Sequence, residues 1–426
     1  MKSQKIAVIG AGISGLGSAL ILSENHEVYL FEKENRFGGH SNTITINKED
    51  KQFKVDTGFI VYNNNNYPYF SRLLSYLKIN TIWSDMSLGF SFNNKNFEYA
   101  CDNLNKLFAQ RKNFFNYGYI KCLIQILRFN KEAPLQLGRG DLKGLTLNEF
   151  LVQNNYSKFF IDHLILPMAG AIWSTSLYDI LDFPADKFVN FFINHDLMTG
   201  LKPAQKWRTI ANGSEQYVNK IINNVRIKSK LNANVIKVER LQNKCLIHFS
   251  KGQREEFDQV VFAISPTIIK NILSNQTPSE SKILSKFKIS KNKAVLHSDL
   301  KVMPRLKKVW SSWNFVNSGL NDFKEDPPGV IYWMNRLQNI NKDYPFFVSL
   351  NPQDDIDEKK IYYETDYTHP LFDIETVGAQ KEINKIQGKN GVWFAGAWLG
   401  NGFHEDGFES AINISKKFNS LPEWLK

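Results

Sequence analysis

"KIAVIGAGISGLGSAL", Lys5 to Leu20, decides the fold. A β-branched run, Lys5 to Ile9, ends in Gly10-x-Gly12-x-x-Gly15 and passes into an apolar helix carrying Leu16, Ala19 and Leu20. Each glycine has its own physical task. Gly10 permits a tight turn, Gly12 lets backbone N–H groups approach a pyrophosphate, and Gly15 lets helix and strand pack closely. The helix N-terminus, with Ile13 and Ser14 in its first turn, offers free N–H groups and a positive dipole end to phosphate. A second strand, "HEVYLFE", ends on Glu32, seventeen residues after Gly15. There a carboxylate can accept hydrogen bonds from a ribose diol. Strand, turn, helix, strand and acid in this order predict a dinucleotide-binding α/β unit, where a surface glycine turn would need no acid.

Directly after it, in "EKENRFGGHSNT", Arg36 and His40 flank Gly38-Gly39 and place cationic or donor groups beside a second close backbone approach. Near the other end of the chain stands "GVWFAGAWLGNGFHEDGFESA", Gly391 to Ala411. It reads as a strand over Val392 to Ala395, a glycine-broken turn, and a helix from Gly407 with Asp406 and Glu409 as a capping box. Gly396, Gly400 and Gly402 crowd that turn, more glycine than an ordinary strand–helix connection needs.

These stretches, with "VDTGFIVYNNNNYP" (Val55–Pro68), "PMAGAIWSTS" (Pro167–Ser176) and "NGSEQYV" (Asn212–Val218), resemble the flavin-containing amine oxidase superfamily. That superfamily includes phytoene desaturases and protoporphyrinogen oxidases. Within it the chain looks closest to bacterial FAD-dependent oxidoreductases linked to cyclopropane-fatty-acid-synthase-like methyltransferases. The resemblance implies a Rossmann-like FAD-binding domain of the amine-oxidase (GR2) type with an interleaved α+β substrate domain. It implies noncovalent FAD, held at one end by Gly10, Gly12, Ile13, Ser14, Gly15, Glu32, Arg36, Gly38, Gly39 and His40, with the backbone of Val235 at the adenine. Gly396, Ala397, Gly407 and Phe408 would hold the flavin end, the helix dipole facing the ring edge where charge develops on reduction. FAD is longer than NAD, so two glycine turns would grip two ends of one cofactor. The chain departs from the pattern in two places: Ala397 stands where an acid often follows "FAG", and His40 where arginine is commoner. No cysteine lies just before the C-terminal motif, so the covalent link of some relatives is not expected.

A chain of 426 residues suggests two to three domains. The expected division is a discontinuous FAD-binding domain of residues 1–80, 201–270 and 385–426 and a substrate domain of 81–200 and 271–384. Hydrophobic residues at 42% and charged residues at 22% describe a globular protein. No run reaches the roughly 18 apolar residues of a membrane span, and "IAVIG" is too short for a signal-peptide core. A cytoplasmic location is expected, with peripheral contact on the inner face of the membrane as an extension. Cys101, Cys122 and Cys245 form no C-x-x-C pair, which argues against zinc, a disulfide framework or a dithiol centre. The charge of +11 suits an anionic membrane surface, or is a solvated Lys- and Asn-rich composition. Nucleic acid would need basic and aromatic residues gathered in a recognisable module, and none is present.

Asn234 to Ala263 alternates like three strands, the last apolar on both faces as a buried parallel strand would be. Leu104 to Lys131 mixes basic residues with Phe, Leu and Ile at near-helical spacing. It reads either as an amphipathic stretch resting on a membrane or, the preferred reading, as core-facing helices with solvated lysines. "PMAGAIWSTS" puts small residues beside Trp173, as a pocket wall or as core. His404, Tyr62, Tyr363 and His369 are the candidate carriers of chemistry, with His369 equally readable as structural. No metal site is expected. The function expected is FAD-dependent hydride removal from an apolar substrate, an unsaturated or methyl-branched acyl chain of a membrane lipid. The alternatives are a flavin amine oxidase, a redox-neutral fatty-acid double-bond isomerase, and a non-catalytic flavin-binding partner of a lipid methyltransferase.

Overall fold

The computed structural model describes residues 3–198, 206–317 and 328–426. Five parallel strands form one sheet in the order Ile227–Lys230, Glu27–Phe31, Lys5–Ile9, Gln259–Phe262 and Val392–Phe394. The first strand shows why it is apolar throughout. Ile6 and Val8 pack with Leu16, Ala19 and Leu20 of the N-terminal helix (Ile13–Leu22), whereas Ala7 and Ile9 pack with Val235, Val238 and Ile247 on the opposite face. Both faces of the sheet are covered, so alternation disappears. Each such Ile or Val contributes roughly 1.5–3 kcal/mol on burial.

Residues 234–263 hold four strands rather than the three expected. Val235–Arg240, Cys245–Phe249 and Arg254–Phe257 make a separate antiparallel sheet, and Gln259–Phe262 joins the parallel one. The switch falls on Asp258, whose carboxylate accepts the Lys5 backbone N–H at 2.8 Å and so pins the chain to the parallel sheet.

The C-terminal helix, His404–Lys417, lies against the N-terminal one. It starts three residues earlier than Gly407, because Asp406 occupies its first turn and reaches back to accept the Phe403 N–H at 2.8 Å. Asp406 therefore does not precede the helix, and Glu409 is not its capping partner. Glu405 turns elsewhere. Its carboxylate accepts the N–H groups of Tyr69 and Phe70 (2.8 and 2.9 Å) and caps the helix Pro68–Tyr76.

The remaining segments build a seven-stranded sheet that starts at Ile361–Leu371 and ends at Phe97–Ala100. A helical layer packs beside it, comprising the long helix Tyr117–Arg139 with Leu147–Gln153, Leu166–Trp173 and Ala185–Asn194. Trp173 belongs to this core, its ring against Phe183 (4.8 Å) and Phe191 (4.7 Å). Strand Thr81–Trp83 pairs with Trp207–Ile210, which also pairs with Tyr62–Asn63. This small sheet bridges the expected boundary at residue 80. The expected boundary at residue 200 lies outside the described residues.

Candidate cofactor and active site

Gly10 adopts φ +98, which only glycine takes readily, and ends the first strand in a sharp turn. A Cβ at Gly15 would stand 1.8 Å from the Gly10 carbonyl oxygen, so the helix can approach the strand only without one. A Cβ at Gly12 would meet nothing within 4 Å. Across that open space the second loop closes in: the Gly38 N–H donates to the Ala11 carbonyl at 2.9 Å, and a Cβ at Gly39 would come within 3.0 Å of Gly12. Glu32 is buried and held by two backbone donors, the N–H groups of Ala11 (2.8 Å) and Glu34 (3.1 Å). Each of its oxygens keeps a lone pair for a further donor. The Ala233 N–H donates to the Glu32 carbonyl at 2.8 Å, which brings Val235 to the same end of the site.

Two side-chain nitrogens in this loop are buried without a partner, Nη1 of Arg36 and Nε2 of His40. A buried guanidinium donor left unpaired is costly. Set beside the open cradle at Gly12 and a helix N-terminus, it fits the pyrophosphate of a dinucleotide. Burial, then the Arg36 charge, lowers the His40 pKa to about 4, opposed by its bond to the Thr368 carbonyl. The ring is neutral at pH 7.

The two glycine turns meet. A Cβ at Gly407 would lie 2.8 Å from Ile13 Cγ2 and 2.9 Å from Ser14 Oγ, so the first turn of the C-terminal helix rests on that of the N-terminal helix. Ala397 lies over the same contact. The Gly396 N–H donates to Ser410 Oγ at 2.9 Å, which fixes the turn to the helix that follows. The Phe408 ring is fully buried and covers Gly17. The side chains of Ile13 and Ser14 are likewise buried, leaving their backbone for a ligand.

His404 ties three elements together. Its Nε2 lies 3.0 Å from Ser41 Oγ and 3.0 Å from Tyr217 Oη, and those hydroxyls are 2.6 Å apart. Phe59 stacks on the imidazole at 3.7 Å. Burial, then the like charge of His40, lowers its pKa well below the usual value, and it stays neutral. With Nε2 shared between two hydroxyls, His404 positions the Gly39–Asn42 loop; these contacts do not single it out as a proton acceptor.

The strand Ile361–Leu371 alternates, and every second residue turns inward. Asn42 Nδ2 donates to Tyr367 Oη (3.0 Å) and Tyr363 Oη (3.4 Å), and Thr57 Oγ1 lies 2.7 Å from Tyr367 Oη. His369 Nδ1 pairs with Asn292 Nδ2 at 2.9 Å, and its ring is 5.3 Å from that of His40. Burial and then His40 lower its pKa to about 3. Tyr363, His369, His40 and His404 thus converge around one loop. Tyr62 does not join them. It is buried among aromatic rings, edge-on to Phe70 at 5.6 Å.

Ser41, Asn42, Tyr217 and Tyr367 were not picked out from sequence. The period-two pattern of "YYETDYTHP" signals Tyr367 as the inward partner of Tyr363 and His369. Nothing local signals Tyr217, which reaches the site only because Asp56 binds the Ser214 N–H (2.9 Å) and hydroxyl (2.7 Å). That contact draws "NGSEQYV" onto "VDTGF". Burial raises the Asp56 pKa to about 6, against the Thr43 and Ser214 hydrogen bonds.

Residues 13–295 match the family model described as flavin containing amine oxidoreductase. A 41-residue stretch is 56% identical to a 4,4'-diapophytoene desaturase of Staphylococcus aureus, covering 9% of this chain and 8% of that one. Over 98% of this chain, the fold superposes on 99% of a CLA-producing fatty acid isomerase from P. acnes, with TM-score 0.70 and 15% identity. It also superposes on the whole of a cyclohexylamine oxidase from Brevibacterium oxydans, with TM-score 0.65, 12% identity and 98% of this chain covered. The structural likenesses establish a shared fold, and the family match joins it to the cofactor cradle. The chain belongs to the flavin containing amine oxidoreductase family and is an FAD-dependent oxidoreductase.

Proposed function

We propose that the protein removes hydride from an apolar substrate, an unsaturated or methyl-branched acyl chain of a membrane lipid. One observation carries this. A cavity of about 340 Å³, within the range of roughly 300–1,000 Å³ of ligand sites, is lined on one side by Ile126, Phe129, Phe160, Leu164, Met168 and Phe192, with Asp102, Asn130 and Asp196 among its polar groups. Phe192 adjoins Phe191, whose ring stacks at 5.0 Å on Phe403, the residue that opens the C-terminal helix. Its apolar side suits methylene groups. The likeness to a diapophytoene desaturase and a fatty acid isomerase supports the same substrate class.

Bound FAD supplies a two-electron hydride acceptor. Arg36, the Gly12 backbone and the N-terminal helix hold its pyrophosphate, and the Ser41–Tyr217–His404 group fixes the loop between the two ends. Tyr363 is the group beside that loop able to hold or hand on a proton through its hydroxyl, whereas the His369 imidazole, neutral and with Nδ1 accepting from Asn292 Nδ2, orients that wall. Incubation with total lipid extract and with an amine panel, read by mass spectrometry, tests the reading. Acyl chains short of one hydrogen pair are expected. Oxidised amines with unaltered lipid would overturn it, and unchanged mass with a displaced double bond would make the reaction redox-neutral.

A further inference from the structure

The segment Leu104–Arg139 faces two ways. On the long helix, Tyr119, Cys122, Gln125, Phe129 and Ala133 are buried in the core. On the opposite side Tyr117, Ile124, Leu127 and Leu135 are 80%, 62%, 69% and 58% exposed. The short turns before it add Leu104, Phe114 and Phe115, the last 93% exposed. At 100° per residue, Tyr117, Lys121, Ile124, Lys131 and Leu135 fall within about 80° of arc. Large apolar side chains exposed together on one helix face mark an interaction site.

Its charge selects the partner. Of the seven Lys and Arg from Leu104 to Arg139, Lys106, Arg128 and Arg139 pair with Asp102, Glu132 and Asp141, which leaves Arg111, Lys112, Lys121 and Lys131 without an ion pair among the described residues. Lys112, Lys121 and Lys131 are exposed. Exposed aromatic and aliphatic side chains interleaved with free lysines match the apolar boundary and anionic headgroups of a lipid leaflet. Ile126 and Phe129, from the inner side of the same helix, line the cavity described above.

We infer that this face rests on an anionic lipid leaflet and that an acyl chain of that leaflet enters the cavity beneath the long helix. The inference rests on the acyl-substrate reading. Lipid contact at the surface and chain binding at the cavity would then be one event, with the helix as the threshold between them.

Flotation of the FAD-loaded protein on vesicles of phosphatidylglycerol and phosphatidylcholine tests the surface. The parent protein should float at low salt, and its recovery with lipid should fall as salt rises. The variants Phe115→Ser with Ile124→Ser, and Lys112→Glu with Lys121→Glu, should each lose tenfold or more of the bound fraction while retaining the flavin. These side chains are exposed, so folding is not at stake. Phosphatidylglycerol with a photoactivatable acyl chain tests the cavity, and should label Ile126, Phe129, Leu164 or Met168. A parent protein that stays out of the lipid fraction, or label confined elsewhere, would overturn the inference. Bleaching of the flavin by the same lipid in detergent micelles separates this failure from that of the substrate reading, since micelles bypass the leaflet.

Discussion

Gly12 and Gly15 stand three positions apart and answer opposite demands. A Cβ at Gly15 collides with the Gly10 carbonyl, whereas one at Gly12 enters space that no protein atom fills. Gly12→Val should therefore fold with a melting temperature near that of the FAD-free parent, yet stay colourless when purified with added FAD. Gly15→Ala should cost about 3 kcal/mol or more, from a backbone clash that cannot relax. A yellow Gly12→Val protein would mean that the open space is not the pyrophosphate cradle. His404 provides a second contrast. His404→Gln should remain yellow, lose about 1–3 kcal/mol with its buried hydrogen bonds, and slow flavin reduction by less than a hundredfold. Loss of a general base typically costs about a hundred- to ten-thousandfold, so a larger drop in the anaerobic reduction rate would make His404 a proton acceptor.

The histidines also set a pH dependence. His40 and His369 have folded pKa values lowered to about 4 and about 3, chiefly by burial. Below pH 6.5 the unfolded chain takes up protons that the folded chain refuses. Stability that is fully present at pH 7 is thus lost as pH falls toward 4. Each group contributes a slope of at most about 1.4 kcal/mol per pH unit. Asp56, Glu405 and Asp406, raised to about 6, 7 and 6 by burial, act in the opposite sense, and comparing variant with parent cancels them. His369→Asn in the FAD-free protein should flatten the acid limb of the denaturation-midpoint curve. A limb as steep as the parent's would show that His369 titrates alike in both states.

At the scale of elements, the contact between the N-terminal and C-terminal helices joins the two halves of the cofactor grip. A Cβ at Gly407 would stand only 2.8 Å from Ile13 Cγ2 and 2.9 Å from Ser14 Oγ, so Gly407→Val would wedge the helices apart. We expect a loss of about 1–3 kcal/mol together with weaker FAD retention on gel filtration, because one contact serves both. Loss of stability with unchanged retention would uncouple them. The first strand, its turn and its helix were readable from spacing alone, since every constraint there is local. The start of the C-terminal helix was misplaced because Asp406 caps from inside the first turn, and a carboxylate before a glycine looks the same in sequence either way. The sheet switch at Asp258 was missed for a related reason. It depends on Lys5, which lies at the far end of the domain.

Across the whole molecule, the motifs that announce FAD are contiguous strings, whereas the polar cluster around the Gly39–Asn42 loop is assembled from distant strands. Tyr217, Tyr367 and Ser41 meet the Gly39–Asn42 loop and His404 only through tertiary pairing, so residue type and spacing could not single them out. Tyr62 shows the converse: an aromatic residue in a family-like string that the fold spends on its core. No helix among the described residues is long and apolar enough to cross a membrane. The most direct measurement is the flavin absorbance of the purified protein under anaerobic conditions, first with an unsaturated phospholipid in micelles and then with primary amines. The lipid should bleach the flavin, the amines should not, and colour should return only when an oxidant is admitted. Bleaching by amines, with the lipid inert, would contradict the proposed chemistry.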